Sequence, residues 1–179
     1  MKWFIALLFT APAALAEICP PVADRSDELA GIYAELARSQ SEAEAQPLNA
    51  QLWEIWTNAP DARAQDLLDE GMQRRAGFDF LGARDVLDEL VEYCPDYAEG
   101  YNQRAFASYL RQDFAAALVD LDRTLEINPR HIGALSGKAL TLMGLGRQDD
   151  AQVALREALA LNPWLGERAL LIDLPGEDI

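Results

Sequence analysis

The chain has 179 residues, half of them hydrophobic, with 15 basic against 30 acidic residues and a net charge of −15. That apolar content excludes an intrinsically disordered chain. The acidity excludes a binder of nucleic acid or of anionic membrane, both of which need clustered Lys and Arg.

The chain opens on MKWFIALLFTAPAALA. One basic residue, Lys2, precedes an apolar run that ends on Ala14-Leu15-Ala16, the order of a signal peptide's n-region, h-region and cleavage site. The run is shorter than the ~20 residues that span a bilayer. Residues 1–16 are therefore expected to be removed, leaving a mature chain that starts at Glu17 and works in the periplasm or outside the cell. Without Lys2 the balance is 14 basic to 30 acidic residues, a net charge of −16. Lipid attachment at Cys19 is not expected, because a small residue must precede such a cysteine and Ile18 is not small.

The two cysteines, Cys19 and Cys94, make a disulfide the default for an exported chain; the alternative is two free thiols. Residues 17–25 read as an N-terminal tail. Leu29, Ile32, Tyr33 and Leu36 then recur at helical spacing, with Ser26 or Asp24 as N-cap. A second stripe follows in Leu48, Leu52, Ile55 and Trp56, with Pro47 suited to a helix's first turn. Residues 26–63 therefore read as a helical hairpin, resembling a degenerate copy of what comes next.

From residue 64 the chain repeats. Pro95, Pro129 and Pro163 lie 34 residues apart, as do Ala83, Ala117 and Ala151, and also Gly71, Ala105 and Ala139. The period defines units 64–97, 98–131 and 132–165. Small residues at the eighth and twentieth positions let two helices approach closely. Leu67, Tyr101 and Leu135 at the fourth position, and Leu87, Leu121 and Leu155 at the twenty-fourth, fill the space beside them. Proline stops each second helix. The turns between the helices hold Gly77, Gly144 and Gly146, and glycine is expected wherever φ must be positive. Ala169, Leu170 and Ile172 are expected to form a short helix covering the last unit, within a C-terminal cap and tail at 166–179.

The period and its small-small-Pro columns resemble the tetratricopeptide repeat. The second unit, AEGYNQRAFASYLRQDFAAALVDLDRTLEINPRH, is the closest copy. With the LWEIW pair, the chain is also similar to a set of small exported bacterial tetratricopeptide proteins. The resemblance implies an all-α, right-handed superhelical stack of antiparallel helix pairs with a concave groove. It also implies that the first helix of each pair lines that groove, at positions 2, 5, 6, 9, 12 and 13. Unit one then supplies Gln65, Leu68, Asp69, Met72 and Arg75. Unit two supplies Glu99, Asn102, Gln103, Phe106, Tyr109 and Leu110. Unit three supplies Gly133, Ser136, Leu140 and Met143. Some members of the family clamp a C-terminal carboxylate with Lys, Asn and Arg. Here the usual Lys positions hold Leu68 and Asn102, which disfavours that role.

Little else carries chemistry. His131, the one histidine, falls in an inter-repeat turn and reads as an exposed or capping residue. No catalytic set assembles around it, no phosphate loop appears, and two Cys and one His without a short-range pair do not make a metal site. No enzyme activity, cofactor or metal is expected. The seventh column, Glu70, Arg104 and Lys138, is charged where Leu is usual, which suggests a ladder between neighbouring first helices, Glu70 with Arg104. The function expected is that of an interaction scaffold, binding a peptide or helix of a neutral or basic envelope or secreted protein on a strip built from Met72, Phe106, Tyr109, Leu140 and Met143. The alternative is a carrier or chaperone sheltering an apolar small molecule or lipid chain.

Overall fold

The computed structural model describes residues 18–172; the leader and the final polar tail lie outside the described residues. Every regular element among them is helical: α1 (Ser26–Leu36), α2 (Glu42–Trp56), α3 (Ala62–Ala76), α4 (Phe80–Tyr93), α5 (Ala98–Leu110), α6 (Phe114–Ile127), α7 (Ile132–Gly144), α8 (Gln148–Leu161) and a closing 3₁₀ turn, Gly166–Leu170. The pairs α3–α4, α5–α6 and α7–α8 are the three repeats, stacked as a solenoid.

The small-residue columns set the helix spacing. Ala83, Ala105, Ala117, Ala139 and Ala151 are all buried. At Gly71 a Cβ would sit 2.7 Å from Cγ of Leu87, so only glycine allows that approach. Leu87, Leu90, Leu142 and Leu155 fill the space between helices and are fully buried; each such leucine contributes about 2 kcal/mol. Asp61, Asp79 and Asp113 cap α3, α4 and α6, accepting from the backbone N–H of Ala64, Gly82 and Ala116 at 2.8, 2.9 and 3.3 Å.

The turns depart from the glycine expectation. Positive φ falls on Phe78 (65°), Gln112 (62°) and Gly146 (72°), the fifteenth position of each unit. Gly77 has φ −82° and does not take the left-handed conformation. The reason is the hydrogen-bond closure of α3: Asp79 N–H reaches back to Arg74 O and Phe78 N–H to Arg75 O, both at 3.0 Å, which fixes Phe78 as the reversing residue.

The charged column does not form the expected ladder. Arg104 reaches second helices, donating to Asp120 at 2.9 and 2.5 Å and to Asp88 at 2.7 Å. Lys138 pairs with Asp122 at 2.7 Å, whereas Glu70 pairs with Arg74 within α3. The seventh position of one unit thus meets the twenty-fifth of the unit before, because a first helix packs beside the preceding second helix.

The N-terminal hairpin is not stacked below α3 as a further repeat. Ile32, Tyr33, Leu36, Ala45, Leu48 and Leu52 share one core cluster with Ile132 of α7, and Leu161, Trp164 and Leu165 pack against it. The hairpin therefore runs along the solenoid as a strap joined to its far end. Side chains fasten it there: Trp164 Nε1–H donates to Ser39 O at 3.0 Å, Asn162 Nδ2–H to Asn49 Oδ1 at 2.8 Å, and Arg168 pairs with Glu42 at 3.2 Å. At its start the Cys19–Cys94 disulfide ties the chain to the end of α4, with the two Cα atoms 5.2 Å apart.

Three local expectations change. Pro47 lies inside α2 and not in its first turn, because Ser41 caps the helix earlier, accepting from Glu44 N–H at 3.3 Å while the Glu44 carboxylate accepts from Gln40 N–H at 2.9 Å. Neither proposed cap of α1 is its N-cap, which is Arg25; Asp24, one residue earlier, accepts from Ser26 N–H at 2.9 Å, and that backbone bond holds its carboxyl below the usual range. The C-terminal cover is a 3₁₀ turn, and its packing residue is Leu171, while Leu170 and Ile172 stay exposed. The Gln152 amide fixes this segment, donating to Leu170 O at 3.0 Å and accepting from Ile172 N–H at 2.8 Å.

Candidate functional site: a cleft roofed by the strap

The strap and the C-terminal turn narrow the concave face to a cleft of about 300 Å³. Asn102, Gln103, Phe106 and Tyr109 of α5 form one wall, and Gly133, Ser136, Gly137, Leu140 and Thr141 of α7 the other. Trp53 of α2 closes over it with Leu165 and Glu167. Helical geometry explains the walls: residues three and four apart project from one face, so 102, 103, 106 and 109 converge while 104 turns to the neighbouring helices.

Seven of the groove residues read from the sequence meet here: Asn102, Gln103, Phe106, Tyr109, Gly133, Ser136 and Leu140. Leu68, Met72, Arg75 and Met143 are among those that do not. Leu68 is fully buried among Ala64, Leu87, Leu90, Cys94 and Tyr97, and Met72 packs on the same cluster; Cys19 and Ala59, leading into and out of the strap, cover it. Arg75 lies with its guanidinium 4.3 Å over the Phe106 ring. Its pKa is drawn down by burial and back up by Glu99. Met143 packs against the Ala139, Leu142 and Leu155 cluster.

Beneath the cleft lies a polar centre that sequence reasoning missed. Glu99, only 1 % exposed, gathers three side-chain donors on its carboxylate. These are Gln103 Nε2–H at 2.5 Å, Asn102 Nδ2–H at 3.3 and 3.2 Å, and His131 Nε2–H at 2.9 Å. His131 is capping, as one reading had it, but not exposed. Its Nδ1 accepts from Ala134 N–H at 3.1 Å, which places the proton on Nε2, and its ring stacks on Trp56 with centroids 4.1 Å apart. Tyr97 donates to Trp56 O at 2.6 Å, and burial pushes its phenol far above the ordinary range. The centre therefore ties α2, α5 and α7 together. A second cleft, of about 400 Å³, lies on its other side between the segment 22–29 and the ends of α5 and α6.

Trp53, Thr141, Leu165 and Glu167 were also not identified from the sequence. Trp53 sits in the LWEIW stretch, and its exposure as a large aromatic on a helix was the available signal. Glu99 was expected in the groove from its repeat position, and the structure buries it beneath the cleft instead.

No protein-family profile matches the chain. It is similar to a TPR repeat-containing protein of Rhizobium etli, 27% identical over 135 residues that cover 74% of this chain and 65% of that one. A tetratricopeptide repeat protein 36 homolog of Nematostella vectensis is 37% identical over 84 residues, 46% of each chain. Both matches thus span less than two thirds of the relatives' own length. Among solved structures, the first TPR domain of Spaghetti (RPAP3) bound to the HSP90 peptide SRMEEVD aligns with TM-score 0.59 at 20% identity, over 60% of this chain and 86% of that one. The TPR2B domain of yeast Sti1 in its pHsp70 complex aligns with TM-score 0.55 at 24% identity, over 56% and 81%.

Proposed function

We propose that this chain, a tetratricopeptide-repeat protein, is an exported scaffold that captures a protein partner by seating a side chain or short segment in the strapped cleft. The observation that carries this is convergence: residues from two repeats and from the strap close on one apolar recess whose Phe106 and Trp53 stay partly exposed (42% and 43%). Large apolar side chains left half in water around a recess mark an interaction site.

The narrowed groove favours an anchor residue over a long helix lying along the whole concave face. Of the two similar solved structures, one is a pHsp70 complex and the other is bound to the HSP90 peptide SRMEEVD, which ends in an acidic run. An acidic end fits this cleft poorly, because no Lys or Arg lines it and Arg75 is engaged on Phe106. A neutral or basic partner suits a chain with a net charge of −15.

The leader pattern supports export, and the Cys19–Cys94 pair is the chemistry of an oxidising compartment. N-terminal sequencing of the mature protein tests it, with Glu17 as the expected first residue. The partner would then be an envelope or secreted protein.

A carrier of an apolar small molecule is the second reading, favoured by the roof of Trp53 and Leu165 and by a volume at the lower end of ligand pockets. Two measurements separate the readings. A photo-crosslinker at Phe106 should form one defined polypeptide adduct that a crosslinker at Val119, exposed on a second helix, does not form. Organic extraction of purified protein should yield a bound molecule only for the carrier. Phe106→Ala with Tyr109→Ala should abolish the adduct at unchanged helicity; survival of the adduct contradicts the scaffold reading.

A further inference from the structure

We infer that the cleft selects an anchor carrying an N–H donor on an apolar stem, such as an indole or an amino-terminated side chain, and rejects carboxylates. The inference rests on the cleft being the binding site. Its basis is a pair of buried, unpartnered oxygens on residues that line the cleft.

Glu99 orients one of the two. Its carboxylate accepts from the amide nitrogens of both Asn102 and Gln103, which turns those nitrogens towards it. Their oxygens are then left on the side away from Glu99. Gln103 Oε1 is buried without a hydrogen-bond partner among the described residues, and Gln103 lines the cleft. Thr141 Oγ1, on the opposite wall, is also buried and unpartnered, and it too can accept. Leaving such atoms unsatisfied is costly. Two of them on residues that line one recess match a ligand that brings a donor. The surrounding walls are Phe106, Tyr109 and Leu140, which suit the stem. A carboxylate would face the Gln103 oxygen with the Glu99 carboxylate behind it, and only the Thr141 hydroxyl could donate to it.

The position of Glu99 makes it a positioning residue for the site. It sets the amide of Gln103 from below without reaching the ligand.

The test uses the whole mature protein and three small probes, indole, 1-methylindole and phenylacetate, titrated while backbone amide resonances of α5 and α7 are followed. Indole should bind roughly tenfold tighter than 1-methylindole, the effect of one hydrogen bond to buried, otherwise unpartnered atoms. Phenylacetate should bind more weakly than either. In Thr141→Val and in Gln103→Met the indole preference should fall towards one, and Thr141→Val should also raise Tm, since a methyl replaces a buried hydroxyl that has no partner. Equal binding of the two indoles, with cleft resonances shifting in both, overturns the donor rule and leaves the cleft standing. Tighter binding of phenylacetate overturns it as well. If no probe shifts the cleft resonances, the cleft reading itself falls, and the inference with it.

Discussion

The repeat block, α3 to α8, and the strap, α1 and α2, are built from the same helical hairpins but held by different means. In the block each helix meets its sequence neighbours, and equivalent positions do equivalent work: Ala83, Ala117 and Ala151 are each buried between paired helices. The strap is held by contacts that span the chain, Asn49 with Asn162 and Ser39 with Trp164. A solenoid's stability is the sum of its neighbour interfaces. The strap instead closes the chain on itself, so it can turn an open groove into a cleft and make its roof part of the site.

Breaking the joint between the two regions should have the largest effect. Glu99→Ala leaves the buried donors of Gln103, Asn102 and His131 unpaired and should cost about 3–5 kcal/mol in urea unfolding. Removing the disulfide by Cys19→Ala with Cys94→Ala frees a 75-residue separation, worth up to about 4 kcal/mol in the chain-entropy model. Hydrogen exchange should then quicken in α1 before α5 to α8. Trp164→Ala cuts the strap's far attachment and should cost about 2 kcal/mol, through lost packing and the bond to Ser39. Its sign on probe binding sharpens the comparison, since a loosened roof should weaken binding while the block's helicity holds. The smallest effect lies inside the block and has the opposite sign. Phe78→Gly relieves a left-handed, 82% exposed aromatic and should stabilise by about 1 kcal/mol, read as a rise in the urea midpoint.

The same division explains what could be read from the chain alone. The period in Gly71, Ala105 and Ala139 states a local rule three times, so the helix pairs and their spacing were legible. Asn102, Gln103, Phe106, Tyr109, Gly133, Ser136 and Leu140 followed from the resemblance to the tetratricopeptide repeat. Leu68 holds the same repeat position as Asn102 yet is fully buried, because the segments around Cys19 and Ala59 lie over its cluster. No pattern near residue 68 announces that cover. His131 looked like a turn residue because its partners, Glu99 and Trp56, are far away in sequence and belong to two other helices. The charged seventh column was recognised as unusual, but Arg104 and Lys138 find their partners on second helices and Glu70 within its own helix, and a column read in isolation does not name them.

The roofed cleft depends on α1 and α2 lying as a strap joined to the far end of the solenoid. Nuclear Overhauser contacts between side-chain methyl groups measure it directly. Leu36, Leu48 and Leu52 should show contacts to Ile132 and Leu161, the residues that complete their cluster. Contacts from those leucines to α3 and α4 alone would place the hairpin as an ordinary stacked repeat, leave the groove open, and contradict the account.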